Sequence, residues 1–120
     1  MVYSSLKRSA ENSSSEYVVD IEAIRDRVRN GKFVVSAHAD QEAADEDIEI
    51  AEIRDALLNG EILEQYADTG RGESCLILGF ANGNPIHVVC GWHRESVAIV
   101  TVYIPKPPTF EDPRTRRRAP

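Results

Sequence analysis

No apolar run in this sequence approaches the length of a membrane span. The N-terminus also lacks the basic and then apolar order of a secretory signal, so the expected setting is cytoplasmic, without a membrane partner. Cysteine is scarce: Cys75 and Cys90 both lie inside apolar runs. Neither has the spacing of a zinc knuckle with the other or with His87 and His93, so reduced and partly buried thiols are expected. There is no internal repeat and no coiled-coil heptad. Positive charge is also short. Lys and Arg total 14 against 20 Asp and Glu, for a net charge of −6.

An acidic body argues against indiscriminate binding of duplex nucleic acid, whose affinity comes from Lys and Arg neutralising phosphates. The shortage is uneven, because Arg114, Arg116, Arg117 and Arg118 crowd into the end of the chain. At 120 residues and 13.4 kDa the sequence supports one domain with a single core.

Residues 1–16 are rich in Ser and charge without periodicity, the composition of a flexible leader. From there a single domain is expected over 17–105. Ile21, Ile24 and Val28 follow a helical period, Asp20 can cap that helix, and Asn30-Gly31 can end it in a left-handed turn. Lys32–Ser36 reads as a brief strand or extended lead-in. A second helix follows, capped by Ser36 and carrying His38 in its first turn. A third, Ala51–Leu58, turns Ile50, Ile53 and Leu57 inward and stops at Asn59-Gly60. Glu61–Tyr66 is the first strand of the main sheet, and the polar loop after it delivers Arg71.

The stretch 71–105 reads as three antiparallel strands, because its apolar runs are joined by connections too short for a crossover helix. Asn82-Gly83 suits the central pair of a tight hairpin. That register sets Ala81 opposite Asn84, Leu78 opposite His87 and Cys75 opposite Cys90. One face then carries Cys75, Ile77, Ile86, Val88, Cys90 and Trp92. The other carries Leu76, Leu78, Phe80, His87 and Val89, so both faces are mostly apolar and the second is the place for a groove. After Tyr103, prolines 105, 107, 108 and 113 argue against regular ladders, and 106–120 is expected to lie as an extended Pro- and Arg-rich strap anchored by Phe110. The fold class is α+β: helices on one face of a small four-stranded antiparallel sheet.

Several of these residues carry a resemblance in order and spacing. They are Ser36-Ala37-His38-Ala39, Leu58-Asn59-Gly60-Glu61-Ile62, Arg71-Gly72-Glu73-Ser74, Pro85-Ile86-His87, Thr101-Val102-Tyr103-Ile104-Pro105, and Phe110 followed by its arginines. Over roughly 33–105 the chain resembles the bacterial family called domain of unknown function 4258, DUF4258. The resemblance implies the fold of the barnase, EndoU, colicin and RelE-like ribonucleases. It also implies the role of a toxin that cuts RNA, free or on the ribosome, beside an antitoxin with a YgiT-type zinc finger.

Metal-free RNA cleavage needs a base for the ribose 2′ hydroxyl, an acid for the leaving 5′ oxygen and a cation for the phosphorane. It needs no cofactor. In this reading His38 is the leading acid or base, His87 its complement, Arg71 the phosphate clamp and Tyr103 a hydrogen-bond donor to the phosphate. Arg114 and Arg116 hold flanking phosphates. Each residue has a plainer alternative. A histidine between apolar strand residues is often a satisfied buried side chain, an arginine between glycines a solvated turn, and an arginine-rich end a solvated tail. Two further functions stay open: a non-catalytic protein-binding module using the sheet face or an edge strand, and a small-ligand or metal-binding protein using the groove around His87. A nuclease requires His38, Arg71 and His87 to converge, whereas a binding module shows an apolar patch on that face.

Overall fold

The computed structural model describes residues 19–67 and 72–116. The leader 1–16 and Arg71 therefore lie outside the described residues, as do 117–120 of the strap. Helix α1 (Ile21–Arg29) starts where the Asp20 carboxylate accepts the Glu22 N–H, and it buries Ile24 and Val28. Gly31, at φ 72°, turns the chain out of it. Strand β1 (Phe33–Val35) follows. Ser36 caps α2 (Ala37–Asp45) by accepting the Ala39 N–H, and this helix buries only Ala39 and Ala43, so it packs close. In α3 (Ile50–Asn59) the Glu52 carboxylate accepts the Glu49 N–H, and the buried face is Ile53, Ala56 and Leu57. Ile50, expected in the core, is instead 44% exposed at the first helical position.

The main sheet contains β1, β2 (Glu61–Tyr66), β3 (Ser74–Ala81), β4 (Asn84–His93) and β5 (Ser96–Tyr103), in the order β1-β5-β4-β3-β2. It has five strands, not the expected four, and it is mixed, because β1 runs parallel to β5 with Phe33, Val34 and Val35 opposite Val97, Ala98 and Ile99. A three-residue strand between two helices shows no alternation long enough to announce its pairing. The β3–β4 register is the expected one, with Cys75 opposite Cys90, Leu78 opposite His87 and Ala81 opposite Asn84. Asn82 and Gly83 both take positive φ at the tip, 54° and 79°.

Beyond the short β1, the exposed edge of β5 is completed by side chains of α2. Glu42 accepts the Val102 N–H at 3.0 Å and Glu46 the Ile104 N–H at 2.7 Å. These carboxylates satisfy an edge that would otherwise be open to another strand.

The helices cover the face of Cys75, Ile77, Ile86, Val88 and Cys90, and these residues share one core with Ile24, Ile53 and Leu57. Both cysteines are free and buried. Contact between helix and sheet is close because two residues lack a side chain. A Cβ on Gly79 would fall inside the Ala56 carbonyl, and one on Gly60 would meet the Ile77 methyl and the Ala56 oxygen. α3 stops at Asn59-Gly60 as expected, and Gly60, at φ −80°, is needed there for this clearance.

The opposite face is covered by the C-terminal segment. Phe110–Asp112 (β6) and Thr115–Arg116 (β7) form a two-stranded ladder, where only an extended strap was expected. The prolines do not obstruct it, since Pro107 and Pro108 precede the ladder and Pro113 sits in the turn, where Asp112 accepts the Arg114 N–H. No described helix is long and apolar enough to cross a membrane.

The clearance at Gly79 predicts that Gly79→Ala, a change of one methyl, lowers the unfolding free energy by about 3 kcal/mol or more, because α3 must lift off the sheet. Urea unfolding of the two proteins checks this; a loss below about 1 kcal/mol would mean that α3 yields freely.

Candidate functional site

Cross-strand register arranges the non-helical face of the sheet in three rows. The first runs Glu61, Leu78, His87, Tyr103; the second Glu64, Leu76, Val89, Thr101; the third Tyr66, Ser74, Gly91, Ala98. A bulge between Ile62 and Glu64 brings Glu61 and Glu64 to the same face.

His87 lies at the centre of the first row and has no exposed surface. Its Nε2 is 2.7 Å from the Pro113 carbonyl and its Nδ1 3.2 Å from the Tyr103 hydroxyl. A carbonyl only accepts, so Nε2 carries the proton; in the neutral ring Nδ1 then accepts from the Tyr103 hydroxyl. Phe110 packs edge-on against the imidazole at 4.4 Å between ring centres, and Tyr103 does so at 5.2 Å. Burial pushes the His87 pKa down, opposed by the bond to Pro113, and burial pushes the Tyr103 phenol up.

The second row supplies charge. Arg116 forks onto Glu64, with Nε at 2.9 Å and Nη2 at 2.8 Å, and lies 4.8 Å over the Phe110 ring. Tyr66 donates to the same carboxylate at 2.5 Å. The Arg116 hydrogen bond holds Glu64 below the usual carboxylate range, with Tyr66 assisting and burial opposing. Burial, and then the bond to Glu64, raise Tyr66 well above the usual phenol range. Arg114 pairs with Glu61 at 2.7 Å on the rim.

The structure thus brings together three of the predicted site residues, His87, Tyr103 and Arg116, with Arg114 beside them. His38 is elsewhere: its side chain is 67% exposed and its Nε2 lies 3.3 Å from Glu42. Glu42 is the residue that caps Val102, so His38 sits along the β5 edge, outside the cluster. The sequence reading missed Glu64, Tyr66 and Lys106. Alternation along Glu64-Gln65-Tyr66 could have placed the first two on one face, but nothing in the sequence marked which face that was. Cys75 and Cys90 point to the helix layer while His87 points away from it, so they do not assemble a zinc site. Among the described residues no cluster of three His, Cys, Asp or Glu is placed to hold a metal.

Two cavities flank the cluster. One, about 420 Å³, is lined by Tyr103, Lys106, Glu46, Thr109 and Phe110; the other, about 540 Å³, is lined by Tyr66 and the third row. Tyr103, whose hydroxyl is hydrogen-bonded to the imidazole, is one of the residues lining the first cavity. A neutral base behind a phenol can take up a proton that the phenol receives from outside.

Because the native imidazole resists protonation, stability is full above the ordinary histidine value of about 6.5 and is lost as pH falls through the depressed native value. Urea unfolding between about pH 8 and about pH 5 should show this decline in the wild type and a flatter profile in His87→Gln. Parallel profiles would assign the slope to other groups.

No curated protein and no solved structure matches the chain. The sequence profile of a family described as a domain of unknown function, DUF4258, matches residues 35–104. That match runs from the end of β1 to just past Tyr103, taking in α2, α3, the four long strands and His87, and it spans more than half of the sequence: the chain belongs to the DUF4258 family.

Proposed function

We propose that this protein is a metal-independent endoribonuclease, acting as the toxin of a toxin and antitoxin pair. The observation that carries the reading is the dyad of Tyr103 and His87, with Pro113 holding the imidazole in the tautomer that accepts a proton. The Tyr103 oxygen takes the proton of the ribose 2′ hydroxyl and passes its own to Nδ1 of His87. The freed 2′ oxygen attacks the phosphorus, and the P–O5′ bond breaks. The imidazolium so formed keeps its Nε2 bond to the Pro113 carbonyl. Lys106 shares the cavity with Tyr103 and is paired with Glu46 at 3.1 Å; on exchanging that partner for the phosphate it offsets the charge that builds on the phosphorane.

The leaving 5′ oxygen takes its proton back from the imidazolium through the Tyr103 hydroxyl, because His38 lies outside the cluster. Arg71 is assigned from the sequence as the phosphate clamp, and Arg114 and Arg116 hold flanking phosphates. A net charge of −6 confines RNA to this narrow strip. The RelE-like resemblance adds ribosome-bound RNA as the substrate form, an antitoxin with a YgiT-type zinc finger as the partner, and the cytoplasm as the setting.

A second reading, a protein-binding module, is favoured by the sealing of His87 under Phe110. There the strap is permanent, and its outer side together with the uncovered third row serves as the contact surface.

The two readings separate on purified protein and labelled RNA. Ribonuclease action predicts fragments with 2′,3′-cyclic phosphate ends, and a loss of about a hundredfold or more in rate for Tyr103→Phe, which keeps the ring and removes the relay. Intact RNA with folded wild type would transfer the function to the binding module.

A further inference from the structure

The strap covers the first two rows of the sheet face and ends its ladder at Arg116 on Glu64, leaving the third row open. Along that row the side chains shrink from Tyr66 to the hydroxymethyl of Ser74, the bare Gly91 and the methyl of Ala98, while Val89 and Val100 stand beside them. The result is a trough of about 540 Å³, within the roughly 300–1,000 Å³ of small-molecule sites. Its floor has no bulk. A Cβ on Gly91 would lie 2.7 Å from the Glu73 carbonyl, so main chain closes one side of it.

Tyr66 forms an aromatic wall that is already fixed, because its hydroxyl is tied to Glu64 and Glu64 is tied to Arg116. Such a wall loses little rotamer freedom on binding. The rim is polar, with Glu73, Ser74 and His93. A flat apolar floor, a fixed aromatic wall and a hydrogen-bonding rim fit a planar heteroaromatic ring. They do not fit a phosphate, which Glu73 would repel, or a lipid chain, which the rim would leave in polar contact. The second row, with Arg116, is two residues away along the strands, about 7 Å, a span that one sugar–phosphate unit bridges.

We infer that the trough between Tyr66 and Ala98 is a base-binding subsite for single-stranded RNA, seating one unpaired nucleobase against Tyr66 with its phosphate directed toward Arg116. The subsite rests on the ribonuclease reading for its ligand, and base stacking on an aromatic side chain supplies its affinity.

Isothermal titration calorimetry reads occupancy directly, since the Trp92 side chain packs against the helix-side core. The probes are nucleoside 5′-monophosphates and a 2′-O-methyl RNA hexamer, which lacks the attacking hydroxyl and stays uncut. The wild type should give a saturable heat of binding to both. Ala98→Leu, which fills the floor, and Tyr66→Leu, which removes the wall, should each weaken binding about tenfold or more, with folding checked by circular dichroism. Ile50→Gln, an exposed position on the helix side, should bind as the wild type does. A wild type without a saturable response, or folded trough variants that bind equally well, would overturn the subsite. Binding in the trough without RNA cleavage would leave the subsite standing and remove the catalytic reading.

Discussion

The non-helical half of this molecule depends on one buried imidazole. His87 projects from the middle of β4 onto the face that the helices leave open, and an unpartnered ring there would cost about 1–3 kcal/mol. The C-terminal segment resolves most of that problem: the Pro113 carbonyl accepts the Nε2 N–H and Phe110 closes over the ring, while Tyr103 of β5 donates to Nδ1. Magnitudes say what fastens the segment. Full burial of Phe110 contributes about 2 kcal/mol or more, whereas the partly exposed pairs of Arg114 with Glu61 and Arg116 with Glu64 contribute about 0–1 kcal/mol each. The arginines orient the segment; Phe110 and His87 hold it.

The helix side obeys a different constraint, clearance. Gly79 and Gly60 let the backbone of α3 rest on β3 without intervening side chains, and the small buried face of α2 brings Glu42 and Glu46 within reach of the β5 edge. One layer thus both fills the core and finishes the sheet. The other face carries His87, Tyr103, Glu64 and Arg116, which share a small area with Phe110 between two cavities. Functional sites and structural ion-pair networks both cluster perturbed groups, and so the proposed relay from Tyr103 to His87 bears more weight here than the count of charges.

Local chemistry made much of this legible in the sequence. Asn82-Gly83 set the hairpin and with it the opposition of Leu78 to His87, and Asp20 and Ser36 announced two helix starts. What stayed hidden was set by distant partners. β1 is three residues long and pairs with a strand some sixty positions later. The bulge that turns Glu61 and Glu64 to one face leaves no mark in composition. The proline-rich end looked unable to form a ladder, yet its prolines fall where no N–H is required. His38 and His87 both looked like proton-transfer residues; only the register of β4 and the edge position of α2 separate one from the other.

The most direct test of this account is side-chain nitrogen NMR of the imidazoles near pH 7, with His87 assigned by substitution. The account predicts a neutral His87 ring with its proton on Nε2, in slow exchange with water, and with a hydrogen-bonded, unprotonated Nδ1. A charged His87, or one with the proton on Nδ1, would contradict it: the bond to the Pro113 carbonyl would then be absent or the relay from Tyr103 closed.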